Sequence, residues 1–258
     1  MAVPSTKPGG STGYSEGLFG RPFGGGGGTG TMMPVSVEIR RASGSFVERS
    51  AGRLSRHALS FGADYDPDNL RFGPMLCHDE HLVGNGYGFE KHRHADLAIV
   101  SWVVAGALAH TGSGQGSVTV SPGQVAVLMT GSGVEHSEIA AAPQTRFVQV
   151  WLAPADPADL PPEASYTVTT PELVTGTLTR VAEPVPGAVF SVARLEAGDT
   201  VTLPGGAFVH VHVARGALTR SSMAEPLQEG DAFRFTDEGP HDVTATVPTE
   251  LLVWEFAA

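Results

Sequence analysis

Two stretches of this chain share one layout, and that repeat limits the folds open to it more than any other feature. Residues 103–128, "VVAGALAHTGSGQGSVTVSPGQVAVL", run strand, glycine, strand, turn, strand. Residues 211–235, "VHVARGALTRSSMAEPLQEGDAFRF", run the same course, with "RGAL" answering "AGAL" and "EGDAFR" answering "PGQVAV". Two copies of one β-barrel is the economical solution. Short apolar or alternating runs such as "SVEIRR", "QVAVLMT", "RFVQVWLAP" and "ELLVWEF" continue the pattern on either side. Gly, Pro, Asp and Asn bound most of them, as turn chemistry requires. Val and Thr favour strands, and helical periodicity is nearly absent. The chain is expected to be all-β.

The copies are separated by "APADPADLPPEASY" (153–166), rich in proline and acid. The first 33 residues hold eleven glycines, five of them consecutive, and have little to bury against the entropy lost on ordering. The expected organisation is a disordered segment over 1–33, a metal-binding barrel over 34–155, a linker over 156–166 and a second barrel over 167–258.

Charge narrows the partners. Sixteen basic against 27 acidic residues give −11, and Lys7 and Lys91 are the only lysines. Nucleic-acid binding needs clustered cations, and so does docking on anionic membranes, so neither is expected. No run is long and apolar enough to span a bilayer. The single cysteine, Cys77, cannot form an internal disulfide and is read as an ordinary buried thiol. A cytoplasmic monomer is the expectation.

The chemistry concentrates in the first copy. "KHRHAD" supplies His92 and His94, and "GVEHSEIA" supplies His136 and Glu138. Residues two apart on a strand face the same side, so two strands can each offer two ligands to one ion. Three imidazoles and a carboxylate suit Fe(II), Mn(II), Ni(II), Cu(II) or Zn(II), and leave positions open on such an ion. One divalent transition metal in the N-terminal barrel is expected. Val100, Trp102 and Met129 are read as barrel-interior residues lining its pocket, with plain core packing an equal alternative.

The second copy offers His210, His212 and His241 as a further metal site. His210 and His212 align with Val100 and Trp102, and by parity are expected to point inward; hydrogen-bonded core histidines, or outward-facing ones, are the plainer reading. "HDEH" (78–81) is read as a loop, and Asp64, Asp66 and Asp68 as a solvated acidic loop.

The pieces "RHALSFGADYDPDNLRFGP", "GYGFEKHRH", "VVAGALAH", "MTGSGVEHSE" and "FVQVWLAP" occur in order over residues 56–153 and resemble the pirin family of the cupin superfamily. The resemblance implies a bicupin: two tandem double-stranded β-helix (jelly-roll) barrels. It implies that His92, His94, His136 and Glu138 are metal ligands, usually for iron. It implies either a quercetin 2,3-dioxygenase acting on a small aromatic enol, or a regulator whose iron state controls a protein partner. An isomerase or hydrolase on the same scaffold is a third reading. In the dioxygenase, Glu138 is the expected base for the substrate hydroxyl. The chain departs from the family's pattern at Arg93, Ala95 and Ala98, where a proline, an arginine and an acid usually stand.

Overall fold

Alternation of small and branched residues between turn-forming glycines makes strands throughout. The computed structural model describes residues 36–63, 65–112, 116–220 and 225–258. The segment 1–33, expected to be disordered, and Asp64 of the acidic loop lie outside the described residues. Among the described residues the only helices are two short 3-10 turns, Ala42–Gly44 and Pro157–Asp159. No helix among the described residues is long and apolar enough to cross a membrane.

The chain begins with β1 (Ser36–Arg40), β2 (Phe46–Ser50), β3 (Arg53–His57) and β4 (Met75–Val83). Next come β5 (Gly88–His94), β6 (Ala98–Ala105), β7 (Leu108–Gly112), β8 (Ser117–Val120) and β9 (Val125–Met129). The first copy closes with β10 (Val134–Ala140) and β11 (Thr145–Leu152), and β12 (Ser165–Thr169) follows the proline-rich stretch. Then come β13 (Leu178–Val185), β14 (Ala188–Leu195), β15 (Thr200–Leu203), β16 (Gly206–Arg215) and β17 (Ala217–Leu218). The last four are β18 (Leu227–Gln228), β19 (Ala232–Glu238), β20 (His241–Thr244) and β21 (Thr249–Phe256).

In the first half a seven-stranded sheet, β12-β9-β6-β11-β4-β3-β2, faces a four-stranded one, β5-β10-β7-β8. Val83, Val103, Leu108, Phe147 and their neighbours fill the space between them. In the second half a six-stranded sheet, β1-β19-β16-β21-β14-β13, is faced by the pairs β15-β20 and β17-β18. The valines of β16 belong to the core beneath it.

The two large sheets also pack on each other. One apolar cluster joins Val100, Trp102 and Val150 of the first half to Phe190, Leu252 and Trp254 of the second. Trp102 is 1% exposed and donates its Nε1–H across this seam to Glu250, at 2.9 Å. Burying a side chain of that size stabilises by roughly 2–3 kcal/mol, and the buried N–H needs its acceptor.

Two strands cross the boundary drawn from sequence order. β1 pairs with β19, so residues 36–40 lie on the sheet of the second half although they precede the first. β12 pairs with β9, so Ser165–Thr169, at the end of the expected linker and beyond, complete a sheet of the first half.

Candidate metal centre

β5 and β10 lie side by side and antiparallel, with His92 opposite His136 and His94 opposite Val134. His94–His92 and His136–Glu138 each keep to one face, as strand periodicity demands. The register slips between His136 and Glu138, where Glu138 pairs with Phe89 instead of Glu90. Such a bulge re-aims side chains locally. Gly88 permits it: its φ is +154°, and an added Cβ would sit 2.0 Å from the Glu138 carbonyl oxygen.

His92, His94 and His136 converge. One ligating atom from each lies within 4.8 Å of the others, and no other such group of His, Cys, Asp or Glu occurs among the described residues. His136 is buried, while His92 and His94 are half-buried at the open side. The ring nitrogens are arranged for ligation. His92 Nδ1 lies 2.7 Å from the Glu90 carbonyl oxygen, so it donates there and leaves Nε2 as a lone pair. His136 Nδ1 lies 3.1 Å from His110 Nε2, and His136 Nε2 is buried with no partner among the described residues. A His136 that donates through Nδ1 offers its Nε2 lone pair to an ion. Burial, then the neighbouring imidazoles, push His136 down to about 2, and His94 to about 4. All three rings are thus neutral at neutral pH, the form that binds metal.

Glu138 does not join them. The resemblance makes it a fourth ligand, but its oxygens fall outside the converging group. The Gln149 amide donates to both of them, at 2.9 and 3.0 Å, and also reaches Ser101 Oγ at 3.1 Å. Trp151 Nε1 donates to Gln149 Oε1 at 2.9 Å, and its ring lies edge-on to His94 at 4.5 Å. A hydrogen-bonded chain therefore connects the carboxylate to a ring packed on a candidate ligand. Burial raises Glu138 to about 7, against the Gln149 hydrogen bond that lowers it.

Four residues here were not singled out in the sequence: His110, Gln149, Trp151 and Tyr166. The His110 ring stacks on Tyr166 of β12 at 3.7 Å, which holds it against His136. Gln149 alone had a readable signal, as an amide inside the apolar strand "RFVQVWL". His110→Ala is expected to weaken metal affinity about 10–100-fold by releasing His136. Competition with a chelator measures this, and unchanged affinity would show that His136 needs no orienting partner.

A family model described as Pirin matches residues 37–152. A Mycobacterium tuberculosis protein named "Putative quercetin 2,3-dioxygenase" is 37% identical over 239 residues, covering 88% of this chain and 97% of that protein. The chain belongs to the pirin family. Escherichia coli quercetin 2,3-dioxygenase is 28% identical over 104 residues, 40% of this pirin and 45% of that protein. A bacterial pirin from Escherichia coli, solved in complex with nickel(II), superposes with a TM-score of 0.76 at 20% identity, over 86% of this chain and 99% of that one. The all-β bicupin architecture expected from the sequence is the one found.

In this pirin several expected site residues lie elsewhere. Val100 and Trp102 belong to the seam between the large sheets, and Met129 packs against that seam. The residues of β6 that turn towards Glu138 are one position out of phase, as Ser101 shows. Every residue from Ala98 to Val104 is buried, because this sheet is covered on both faces, so apolarity does not mark the inner one. His210, His212 and His241 do not assemble. His241 on β20 packs on Phe235 and lies 3.6 Å from Glu238, while His210 and His212 face away from the second core into the seam. "HDEH" is no loop but the middle of β4. Three of its four polar side chains are buried in pairs: Asp79 with His57 Nδ1 at 2.7 Å, His81 Nδ1 with Ser55 Oγ at 2.8 Å, and Glu80 with Arg146. Cys77 is buried, and burial drives its thiol pKa up, so it is inert as a nucleophile.

Proposed function

We propose that this pirin is a metal-dependent oxidoreductase of the quercetin 2,3-dioxygenase type, acting on a flavonol or a similar aromatic enol. The observation that carries the reading is the three-histidine cluster with the buried Nε2 of His136 turned into it. His92, His94 and His136 would hold one divalent ion. Iron is the metal implied by the sequence resemblance, and nickel is the ion bound by the related Escherichia coli protein. When bound, the ion supplies a Lewis acid for the enol oxygen and a redox centre for reaction with dioxygen. His92 and His94 stand at the open side, so a flat substrate approaches past them. Trp151 forms a wall beside His94. Glu138 accepts the hydroxyl proton, and Gln149 holds its carboxylate in place for that step.

Oxygen uptake with quercetin, using protein loaded in turn with iron, nickel, manganese, copper and zinc, tests the reading. At least one form is expected to consume oxygen in step with quercetin. Glu138→Gln is expected to lower kcat by roughly 10²–10⁴ while keeping its metal. Absence of uptake with every metal would overturn the activity. Loss of metal in Glu138→Gln would make Glu138 a ligand and not the base.

A further inference from the structure

The seam between the halves is apolar along most of its length, but one end is polar. On β16, Val209, Val211 and Val213 enter the second core, so His210 and His212 alternate with them and point at β4. There they meet His78, with ring centroids 4.4 Å from His210 and 4.9 Å from His212. The three rings are 2%, 0% and 4% exposed at positions 78, 210 and 212. Neither ring nitrogen of His210 has a hydrogen-bond partner among the described residues, and Nε2 of His78 and His212 has none either.

Three guanidiniums stand close by: Arg234 of β19 is opposite His210, Arg40 of β1 lies in the same row as His212 across Ala232, and Arg146 pairs with Glu80 of the cavity wall. Each also has a buried nitrogen without an acceptor, Nε of Arg40 and Arg234 and Nη2 of Arg146. Native proteins leave few buried polar atoms unpaired, since each forfeits its hydrogen bonds to water without replacement. Here they gather in one place, and all are nitrogens. Beside them lies a cavity of about 420 Å³, lined among others by Arg40, Arg41, Arg56, His78 and His212, while His210, Arg146 and Arg234 stand outside its lining. The carboxylates nearby leave this demand unmet: Glu80 is shared by Arg146 and Arg56, Glu38 by Arg40 and Arg234, Glu229 pairs with Arg146, and Asp66 accepts from the Asp68 N–H, yet the nitrogens named above remain without an acceptor.

Two ligand chemistries suit a trio of histidines, and the surroundings separate them. A divalent metal needs lone pairs drawn close together, and these three rings do not bring their ligating atoms within the 4.8 Å that the first cluster achieves. It would also sit among guanidiniums that repel it. An oxyanion needs N–H donors and positive charge, and both are present. We propose that the seam cavity binds a small oxyanion, a carboxylate- or phosphate-bearing molecule, held between Arg40 and His212 of one large sheet and His78 of the other, with His210, Arg234 and Arg146 adjoining. The site is separate from the His92 cluster and independent of the activity proposed for it. Its occupant would touch β1, β4 and β16 together, and so tie the two halves to each other.

The test is titration of the full chain with inorganic phosphate and, separately, with succinate. Calorimetry gives the stoichiometry, and imidazole ¹⁵N spectra show which rings respond. At least one anion is expected to bind one to one and to shift His78, His210 and His212 while His92 and His94 stay unmoved. Whether phosphate or succinate does so identifies the headgroup. Arg40→Gln, at a part-exposed position, and His212→Gln are each expected to weaken binding about tenfold or more. The proposal is overturned if neither anion saturates, or if binding survives both substitutions unchanged. It is also overturned if a His92→Ala/His94→Ala protein still takes up one nickel ion that His78→Gln then removes, since that outcome makes the trio a metal site.

Discussion

A protein carrying both His92→Ala and His94→Ala is expected to lose its metal outright. Elemental analysis of the wild type, purified without added metal, should give about one ion per chain, and the double variant less than about a tenth of that. The reason is geometric. The three converging imidazoles are the whole group within 4.8 Å, and removing two leaves His136 alone. Glu138 cannot compensate without breaking its hydrogen bonds to Gln149. The substitutions should not unfold the chain, because both histidines are half-buried at the rim and neither belongs to a core cluster. A thermal control separates loss of metal from loss of fold. The apo forms of wild type and variant should melt within a few degrees of each other. Added nickel should stabilise only the wild type, by about 4 kcal/mol at a thousandfold excess over Kd. A variant that keeps stoichiometric metal would place the ion elsewhere.

Much of this was legible in the sequence, and the rest was hidden for identifiable reasons. The repeat and its turn residues gave the architecture, and alternation grouped the three histidines. Facing direction was the weak point. Val100 and Trp102 were assigned to the barrel interior, yet β6 is buried on both faces and parity alone cannot say which face is which. The same ambiguity misdirected His210 and His212, which share one face as expected but turn it to the seam. Charged "HDEH" contradicts ordinary strand composition, and only its partners on other strands, His57, Ser55 and Arg146, make it tolerable. His110 was invisible because a lone histidine acquires meaning only through its neighbour across the β7–β10 ladder, which sequence spacing does not give.

The seam histidines also make the fold sensitive to acid. Burial, and then Arg146, hold His212 down at about 3, against about 6.5 in an unfolded chain. As pH falls below 6.5 the unfolded chain takes up this proton while the folded one does not. The stability due to a neutral His212 is therefore whole above about pH 6.5 and is lost progressively towards pH 3. The loss is about 1.4 kcal/mol per pH unit, or about 2 kcal/mol between neutral pH and pH 5. Domains of this kind are stable by only about 5–15 kcal/mol. His78 and His210 act in the same direction, His78 held down by burial, His212 and Arg234, and His210 by burial, His78, Arg234, His212 and Arg40. Asp79 and Glu138, both raised by burial, gain stability as pH falls and oppose them. The decisive measurement is therefore a difference. Urea unfolding of wild type and His212→Gln at pH 7 and pH 5, in sulfonate buffers free of phosphate and carboxylate, should show the variant's pH dependence shallower by about 2 kcal/mol. If the gap between the two proteins is the same at both pH values, His212 titrates in the folded state. The seam would then be open to protons, and the burial that keeps these rings neutral would not hold in solution.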